Sequence, residues 1–403
     1  MVETTRRTQV VVAGAGPVGA VAATWLAKQG IDVILAEAGA DAAQDLRAST
    51  FHPPTLEMLA ELGITDRLVE IGLKAPIYHW RDRASGEVIA FDLSELSDMT
   101  QFPYRLQCEQ YHLARMLSDG LEELGTGKVL FDHRLAYFEQ DDSGVDVYLE
   151  TPLGIERIRT QYLIGADGAS SIARKWLNIE FDGFTYPERF LTLSTDYPIE
   201  EAMKGVAYVN YVSDPDEWLV LLRVPKLWRV LVPAHESDPQ KLLSDETKNA
   251  VFDRIMGDGA RVETEHRTIY RVHQRVAKTF RQGRVLLVGD AAHLNNPLGG
   301  FGMNSGIHDA VNLCQKLTMA LGDEGADADA LLSLYDRQRR TVTYDFTQSQ
   351  TIENMELMRV GQSEAHERRR DALRNIAADP ALRRAYLLRQ AMYESLEQAA
   401  AIT

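Results

Sequence analysis

Residues 8–37 read TQVVVAGAGPVGAVAATWLAKQGIDVILAE, and this stretch decides the fold. The apolar run TQVVVAG meets a glycine turn, the apolar-periodic segment AVAATWLAKQG follows, and a second apolar run, IDVILAE, closes at Glu37. This change of hydrophobic period predicts a buried strand, a helix and a second buried strand, one βαβ unit. Gly14, Gly16 and Gly19 stand between strand and helix in GxGxxG spacing, with Pro17 and Val18 inside the motif. The first glycine permits the tight turn, the second lets a pyrophosphate approach the backbone, and the third lets helix and strand pack closely. The positive end of the helix then faces the phosphates. Glu37, at the end of the second strand, is placed to accept from the ribose hydroxyls of an adenosine.

Working outward, residues 53–62 (PPTLEMLAEL) read as a helix, IYHWRD and EVIAFD within 77–92 as short strands, and residues from about 110 to 123 as another helix. KVLFD, AYFEQDD, VDVYLET and ERIRTQYLIGADG form a run of strands separated by polar turns. From about Phe181 to His273 the runs RFLTLST, VAYVNYV, EWLVLLRVP and WRVLVPA predict a mostly antiparallel sheet with turns at Asp214-Pro215 and Pro225-Lys226. RVLLVGDAAH is one more buried strand, IHDAVNLCQKLTMAL a helix, and the chain from Asp329 onward is helical almost to its end. Opposite charges one turn apart in EAHERRRDALR read as a solvated helix face.

The 403 residues are 45% hydrophobic and 25% charged, an ordinary globular composition. A formal charge of −16 disfavours a nucleic-acid backbone or an anionic membrane surface as partner. No run of eighteen apolar residues is present, so no membrane span is expected. Cys108 and Cys314 belong to no CxxC or Cys/His cluster, which leaves a disulfide framework or a metal site unsupported. The N-terminal stretch lacks the shape of a signal peptide, and a cytoplasmic location is expected.

Two further glycine-bearing strand ends stand out. In residues 162–177, YLIGADGASSIARKWL, the pair Asp167-Gly168 precedes a helix, with Arg174 beyond it. In residues 283–313, GRVLLVGDAAHLNNPLGGFGMNSGIHDAVNL, Gly289-Asp290 ends a strand, and Gly299, Gly300 and Gly302 open a helix. These motifs with GxGxxG, in this order and spacing, resemble the FAD-dependent aromatic hydroxylases, class A flavoprotein monooxygenases of the para-hydroxybenzoate hydroxylase fold. The resemblance covers nearly the whole chain.

It implies an α/β fold in which a Rossmann-like FAD-binding domain (1–76, 100–180 and 274–340) is interleaved with a mostly antiparallel β-sheet substrate domain (77–99 and 181–273), followed by C-terminal helices (341–403). It implies that Gly14, Gly16, Pro17, Val18, Gly19 and Glu37 hold the ADP half of FAD. Asp167, Gly168 and Arg174 would serve FAD and the pyridine nucleotide. Asp290 would bind the ribityl and pyrophosphate region, while Gly302, Met303 and Asn304 would face the pyrimidine edge of the flavin, and Arg47 and Gln107 would also touch FAD. NADH or NADPH would visit transiently, with O2 as second co-substrate. Ala166 and Phe301 depart from the family pattern, and Phe301 receives no role. His293 is read as structural and no side-chain base is assigned, because the flavin carries the chemistry.

The aromatic middle segment, with Tyr208, Tyr211, Trp218 and Trp228 interleaved with Leu219, Leu221 and Arg223, suits the wall of a flat aromatic site. Strand periodicity turns half of these residues away from any such wall. Tyr211, Leu219 and Arg223, with Pro297 and Leu298 from the glycine-rich loop, are the candidate substrate contacts. The expected activity is NAD(P)H- and O2-dependent hydroxylation of a phenolic or N-heteroaromatic ring, with a flavin epoxidase or reductase on the same fold, or a non-catalytic FAD-binding protein, as alternatives. A halogenase lacks its WxWxIP stretch here, and a two-dinucleotide reductase lacks its second GxGxxG and its CxxxxC. The expected partner is a small aromatic molecule, with no nucleic acid or membrane, and a homodimer is compatible with the chain.

Overall fold

A computed structural model describes residues 6–42, 48–214, 217–236, 238–257, 259, 261–323, 325–359 and 364–403. The opening βαβ unit forms as its period dictates: strand Val10–Ala13, helix Pro17–Lys28 and strand Val33–Ala36. Both strands are wholly buried and lie side by side in a six-stranded sheet. Its order is Arg281–Gln282, Val285–Leu287, Tyr162–Gly165, Val10–Ala13, Val33–Ala36 and Gly127–Leu130. All pairs are parallel except the hairpin of the first two strands. Continuous Val/Ile/Leu runs are what such a sheet requires, because elements cover both of its faces. Gly19 marks the closest helix-to-turn approach: a Cβ there would lie 1.9 Å from the Gly14 carbonyl oxygen.

The second large sheet has eight strands in the order His293–Leu294, His266–Ala277, Phe181–Thr195, Trp228–Ala234, Leu219–Arg223, Val209–Ser213, Ile77–Asp82 and Val88–Asp92. It is antiparallel apart from the parallel pairing of Val209–Ser213 with Ile77–Asp82. The turn at Pro225-Lys226 closes a hairpin through reciprocal backbone bonds between Val224 and Leu227, whereas the turn read at Asp214-Pro215 runs outside the described residues. One face buries Leu191, Leu193, Val212, Leu219, Leu221, Trp228 and Val230 together with Val251 and Phe252 of helix Asp245–Met256. The other buries Tyr78, Trp80, Tyr211, Trp218, Val220, Leu231 and Val272.

A four-stranded sheet (Arg6–Arg7, Gly154–Thr160, Gly144–Thr151, Arg134–Asp141) and a three-stranded one (Thr50–Phe51, Arg105–Gln107, Leu73–Ala75) complete the β structure. Helices Ala328–Val342, Ser349–Met358, Glu364–Ala378, Pro380–Gln390 and Tyr393–Ala401 follow the long helix Phe301–Gly322. The charge run in Glu364–Ala378 corrects the sequence reading of a merely solvated face. Arg374 and Arg370 donate to Glu87, in the turn between the last two strands of the eight-stranded sheet, at 2.6 and 2.7 Å. Arg383 and Arg384 of the next helix reach Glu95 and Asp98 at 2.8 and 2.7 Å. Among the described residues no helix is long and apolar enough to cross a membrane.

Candidate active site

The carboxyl ends of the parallel strands face the eight-stranded sheet across a single cavity of about 880 Å³. Open α/β sheets bind ligands at such strand ends. The glycine turn contributes Gly14, Gly16, Pro17 and Val18, with Glu37 from the neighbouring strand end. Gly14 takes φ +105°, and a Cβ there would sit 2.4 Å from the Ala166 carbonyl oxygen, so turn and strand Tyr162–Gly165 meet only because no side chain intervenes. A Cβ at Gly16 would meet nothing within 4 Å. That open cradle at a helix N-terminus is the space a pyrophosphate needs. Glu37 is held at the rim by the amides of Ala15 and Gly39, at 2.7 and 2.9 Å.

The Asp-Gly motif also opens onto the cavity through Asp167 and Gly168. The Asp167 carboxylate accepts from the amides of Ile172 and Ala173 at 2.6 and 3.0 Å, capping the helix Ile172–Trp176. Arg174 does not line the cavity, contrary to the role implied for it. Its guanidinium donates to the carbonyls of Ala291 and Ala169 at 2.7 and 2.8 Å and lies over the Phe181 ring, so it ties the Asp-Gly turn to the Gly-Asp turn from behind. Asp290 faces the cavity. Beneath it, the buried carboxylate of Asp309 accepts from the Gly289 amide at 3.2 Å and from His293 and Arg339 at 2.7 Å each. His293 thus serves the frame of the turn, as its sequence context suggested.

Gly302 and Met303, in the first turn of helix Phe301–Gly322, line the cavity, as do Pro297 and Leu298. Asn304 instead points behind the loop: its side chain accepts from the His52 amide at 2.9 Å and donates to the carbonyls of Thr50 and Gly300 at 2.8 and 2.7 Å. Phe301 is also turned inward, stacked on His52. The position is therefore a core position, and its departure from the family pattern leaves the cavity surface unaltered. Gln107 is buried off the cavity, accepting from the Thr50 hydroxyl at 3.0 Å, with its Nε2 buried and unpartnered. Gly19 packs helix on turn, and Arg47 lies outside the described residues.

On the sheet side the cavity is lined by Tyr211, Val220, Leu222, Leu231, Thr192, Tyr270, Val272 and His273, with two guanidinium groups, Arg229 and Arg271. Leu219 and Arg223 are not among them. Both sit on the opposite face, Leu219 in the core beside Val212 and Trp228, and Arg223 over the Trp228 ring. Sequence reasoning missed Val220 and Leu222, their strand neighbours, and missed Arg229, whose signal was a lone charge inside the apolar strand WRVLVPA. Arg229 is 3% exposed and pairs with buried Glu109 at 3.5 Å. Burial first, then the charges of Arg275 and Arg271, hold the His273 imidazole below its ordinary pKa. Burial, reinforced by Glu109, raises the Tyr111 hydroxyl at the same cavity.

The comparisons with known proteins agree with this geometry. A family model described as an FAD binding domain matches residues 7–350. The chain is 34% identical over 388 residues to para-nitrophenol 4-monooxygenase of Pseudomonas sp. (strain WBC-3), covering 94% of both chains. It is 31% identical to 6-hydroxy-3-succinoylpyridine 3-monooxygenase HspB of Pseudomonas putida (strain DSM 28022 / S16), covering 86% of this chain and 88% of that one. The crystal structure of p-nitrophenol 4-monooxygenase PnpA from Pseudomonas putida DLL-E4 superposes with a TM-score of 0.90 at 29% identity, over 97% of this chain and 99% of the other. The chain belongs to the FAD-binding-domain family and is an FAD-dependent aromatic hydroxylase that uses NAD(P)H and O2.

Proposed function

We propose that this hydroxylase acts on a small one-ring phenol bearing an electron-withdrawing substituent, a nitrophenol being the model compound. One observation carries the reading: a single cavity runs from the glycine turn to an apolar sheet wall that includes Tyr211 and buried Arg229. The first half has the shape and polarity for a dinucleotide. The second offers a flat ring apolar surfaces, a tyrosine and the guanidinium donors of an ion-paired arginine. The similarity to para-nitrophenol 4-monooxygenase, over almost the full length of both chains, supports the same class.

In this reading Gly14, Gly16, Pro17, Val18 and Glu37 hold the adenosine and pyrophosphate of FAD, Asp167, Gly168 and Asp290 its middle, and Gly302 and Met303 its ring end. Gln107, Arg174, Asn304 and Gly19 shape that site from behind. Bound FAD supplies the redox chemistry that takes two electrons from NAD(P)H and activates O2. One oxygen atom enters the ring and the other leaves as water. The protein orients the ring against Val220, Leu222, Leu231 and Leu298, excludes bulk water, and faces the ring's hydroxyl with the N–H donors of Arg229, whose charge is shared with Glu109. Cys108 and Cys314 are buried, unpaired thiols, which supports a reducing, cytoplasmic setting.

The test is NADH and NADPH oxidation by FAD-loaded protein, with and without a panel of nitrophenols, hydroxybenzoates and hydroxypyridines, with hydrogen peroxide measured alongside. Nitrophenols are expected to give the greatest stimulation with little peroxide. Stimulation confined to hydroxypyridines would replace this substrate class, and stimulation matched by stoichiometric peroxide would reduce the phenol to an effector.

A further inference from the structure

We infer that Gln274, which lies behind the cavity and not on it, is a positioning residue for the ring: it locks segment 294–298, part of the cavity wall, onto the C-terminal helices. Through it, side chains far along the chain from any nucleotide motif decide how much of the O2 consumed enters the ring and how much is lost as hydrogen peroxide. This rests on the cavity reading above and deepens it.

Leu294, Asn295, Pro297 and Leu298 line the cavity, and Asn296, the one residue among them that does not, is fully buried. Beyond the two-residue strand His293–Leu294 the segment has no regular structure, so side chains must hold its polar backbone groups. Gln274, buried in strand His266–Ala277, accepts from the Asn296 amide at 3.0 Å. Gln348 donates to the Leu294 carbonyl at 3.0 Å, and Asn354 to the Leu298 carbonyl at 3.3 Å. Asn296 closes the turn itself: its side chain accepts from the Leu298 amide at 3.1 Å and donates to Tyr186 Oη and the Thr351 carbonyl at 3.1 and 2.8 Å.

Gln274 joins this loop to the helices behind it. A side-chain amide has two N–H donors and a carbonyl oxygen with two lone pairs, and here all are used. Nε2 donates to Thr351 Oγ1 at 2.8 Å and to the Gln348 carbonyl at 3.4 Å, while Oε1 accepts from the backbone and side-chain N–H groups of Asn296 at 3.0 and 3.4 Å. Thr351 in turn donates to the Thr347 carbonyl at 2.8 Å, in the π-helical turn Thr343–Gln348 that precedes helix Ser349–Met358. A buried network satisfied at every member holds one arrangement, and removing one member leaves the others unpaired. A misplacement of about 1 Å at a reacting centre costs about a hundredfold in rate. With the ring out of reach, the two electrons of NAD(P)H and two protons reduce O2 to hydrogen peroxide, and no oxygen enters the ring.

The experiment pairs two threonines of the C-terminal helices. Thr343 and Thr351 are both fully buried and each donates to the carbonyl four residues back at 2.8 Å, but only Thr351 also accepts from Gln274. Each is changed to valine, which removes the hydroxyl and keeps the shape, and Gln274→Met is made alongside. The FAD-loaded proteins are compared by hydrogen exchange of segment 294–300 without any ring, and by peroxide released per NAD(P)H oxidised with the ring that the wild type hydroxylates best. Thr351→Val and Gln274→Met are each expected to speed exchange of the segment roughly fivefold, the size of one buried hydrogen bond. Both should raise the peroxide fraction severalfold with KM changed less than about twofold, since the ring keeps its contacts. The double variant should do no more than Gln274→Met alone. Thr343→Val should lose as much melting temperature as Thr351→Val and keep wild-type exchange and coupling. Equal effects of the two valine variants on exchange and peroxide would overturn the assignment in favour of general destabilisation, and so would wild-type exchange and coupling in both Thr351→Val and Gln274→Met. Thr351→Val decides the question if Gln274→Met fails to fold. A wild type that prefers hydroxypyridines overturns the phenol reading alone, because exchange needs no ring and coupling is read on whichever ring is hydroxylated.

Discussion

Leu219 and Leu222 stand three positions apart on one strand and serve different cores. Leu219, 1% exposed, packs beside Val212, Trp228 and Val230, while Leu222 lines the cavity. Leu219→Ala is expected to cost about 2–5 kcal/mol of stability, the range for a buried leucine left as a cavity, with the KM for the phenol nearly unchanged. Leu222→Ala is expected to raise KM several-fold with a much smaller loss of stability. Thermal unfolding and steady-state kinetics on the two variants check both halves, and a KM effect in Leu219→Ala would mean that the wall has been assigned to the wrong face. The same two residues show where sequence reading stopped. The run LVLL announces a strand, but alternation reveals a face only when one side meets water, and here both sides are covered. Residue type and loop position point to Tyr211, Pro297 and Leu298, which the structure places on the cavity, whereas Leu219 and Arg223 are one step out of register. Arg174, Gln107 and Asn304 mark a second limit. A motif tells which turn meets the ligand but not which of its residues line it and which brace it from behind.

Elements repeat this lesson in their charges. Glu364–Ala378 carries a run that a helix in water would tolerate, and only the fold shows that Arg374 and Arg370 converge on Glu87 of the hairpin turn. Hydrogen bonds from Arg374 first and Arg370 second hold the Glu87 carboxyl down to about 2. A carboxylate whose folded pKa is depressed stabilises the fold above its unfolded value, near 4.3, and loses that contribution as pH falls through the folded value. Glu87→Gln is therefore expected to lower the melting temperature at neutral pH by an amount equivalent to about 1 kcal/mol or less, since water screens pairs this accessible. The gap between variant and wild type should shrink below about pH 4.5 and close toward pH 2. Melting curves of both proteins across that range test it, and a gap that persists unchanged at pH 2 would assign the loss to packing. Hydrogen exchange adds a local check: amides of 367–378 should exchange faster in the variant, because these ion pairs hold the helix on the hairpin.

At the scale of the whole molecule, folding and cofactor binding meet at one residue that can separate them. The cavity lies between two sheets, so a dinucleotide seated there as proposed would touch both and stabilise the folded state by mass action, about 4 kcal/mol at a thousandfold excess over Kd. For a chain of this length that amounts to roughly 5 °C in Tm. Gly16 has φ −68° and ψ 176°, a conformation open to any residue, and its absent Cβ faces free space. Gly16→Leu is therefore expected to fold with a Tm within about 1 °C of the FAD-free wild type, the small loss coming from a poorer residue at the helix N-cap. Its side chain would occupy the place assigned to the pyrophosphate, so added FAD should bring no rise in Tm and the flavin absorbance should not follow the protein through a sizing column. If Gly16→Leu retains FAD and the full thermal increment, the dinucleotide does not cross the glycine turn. If instead the FAD-free variant itself melts far lower, the space beside Gly16 belongs to packing and not to a ligand. Retained stability with lost FAD is the outcome that a preformed cradle produces, because the open space beside Gly16 is there before any ligand arrives.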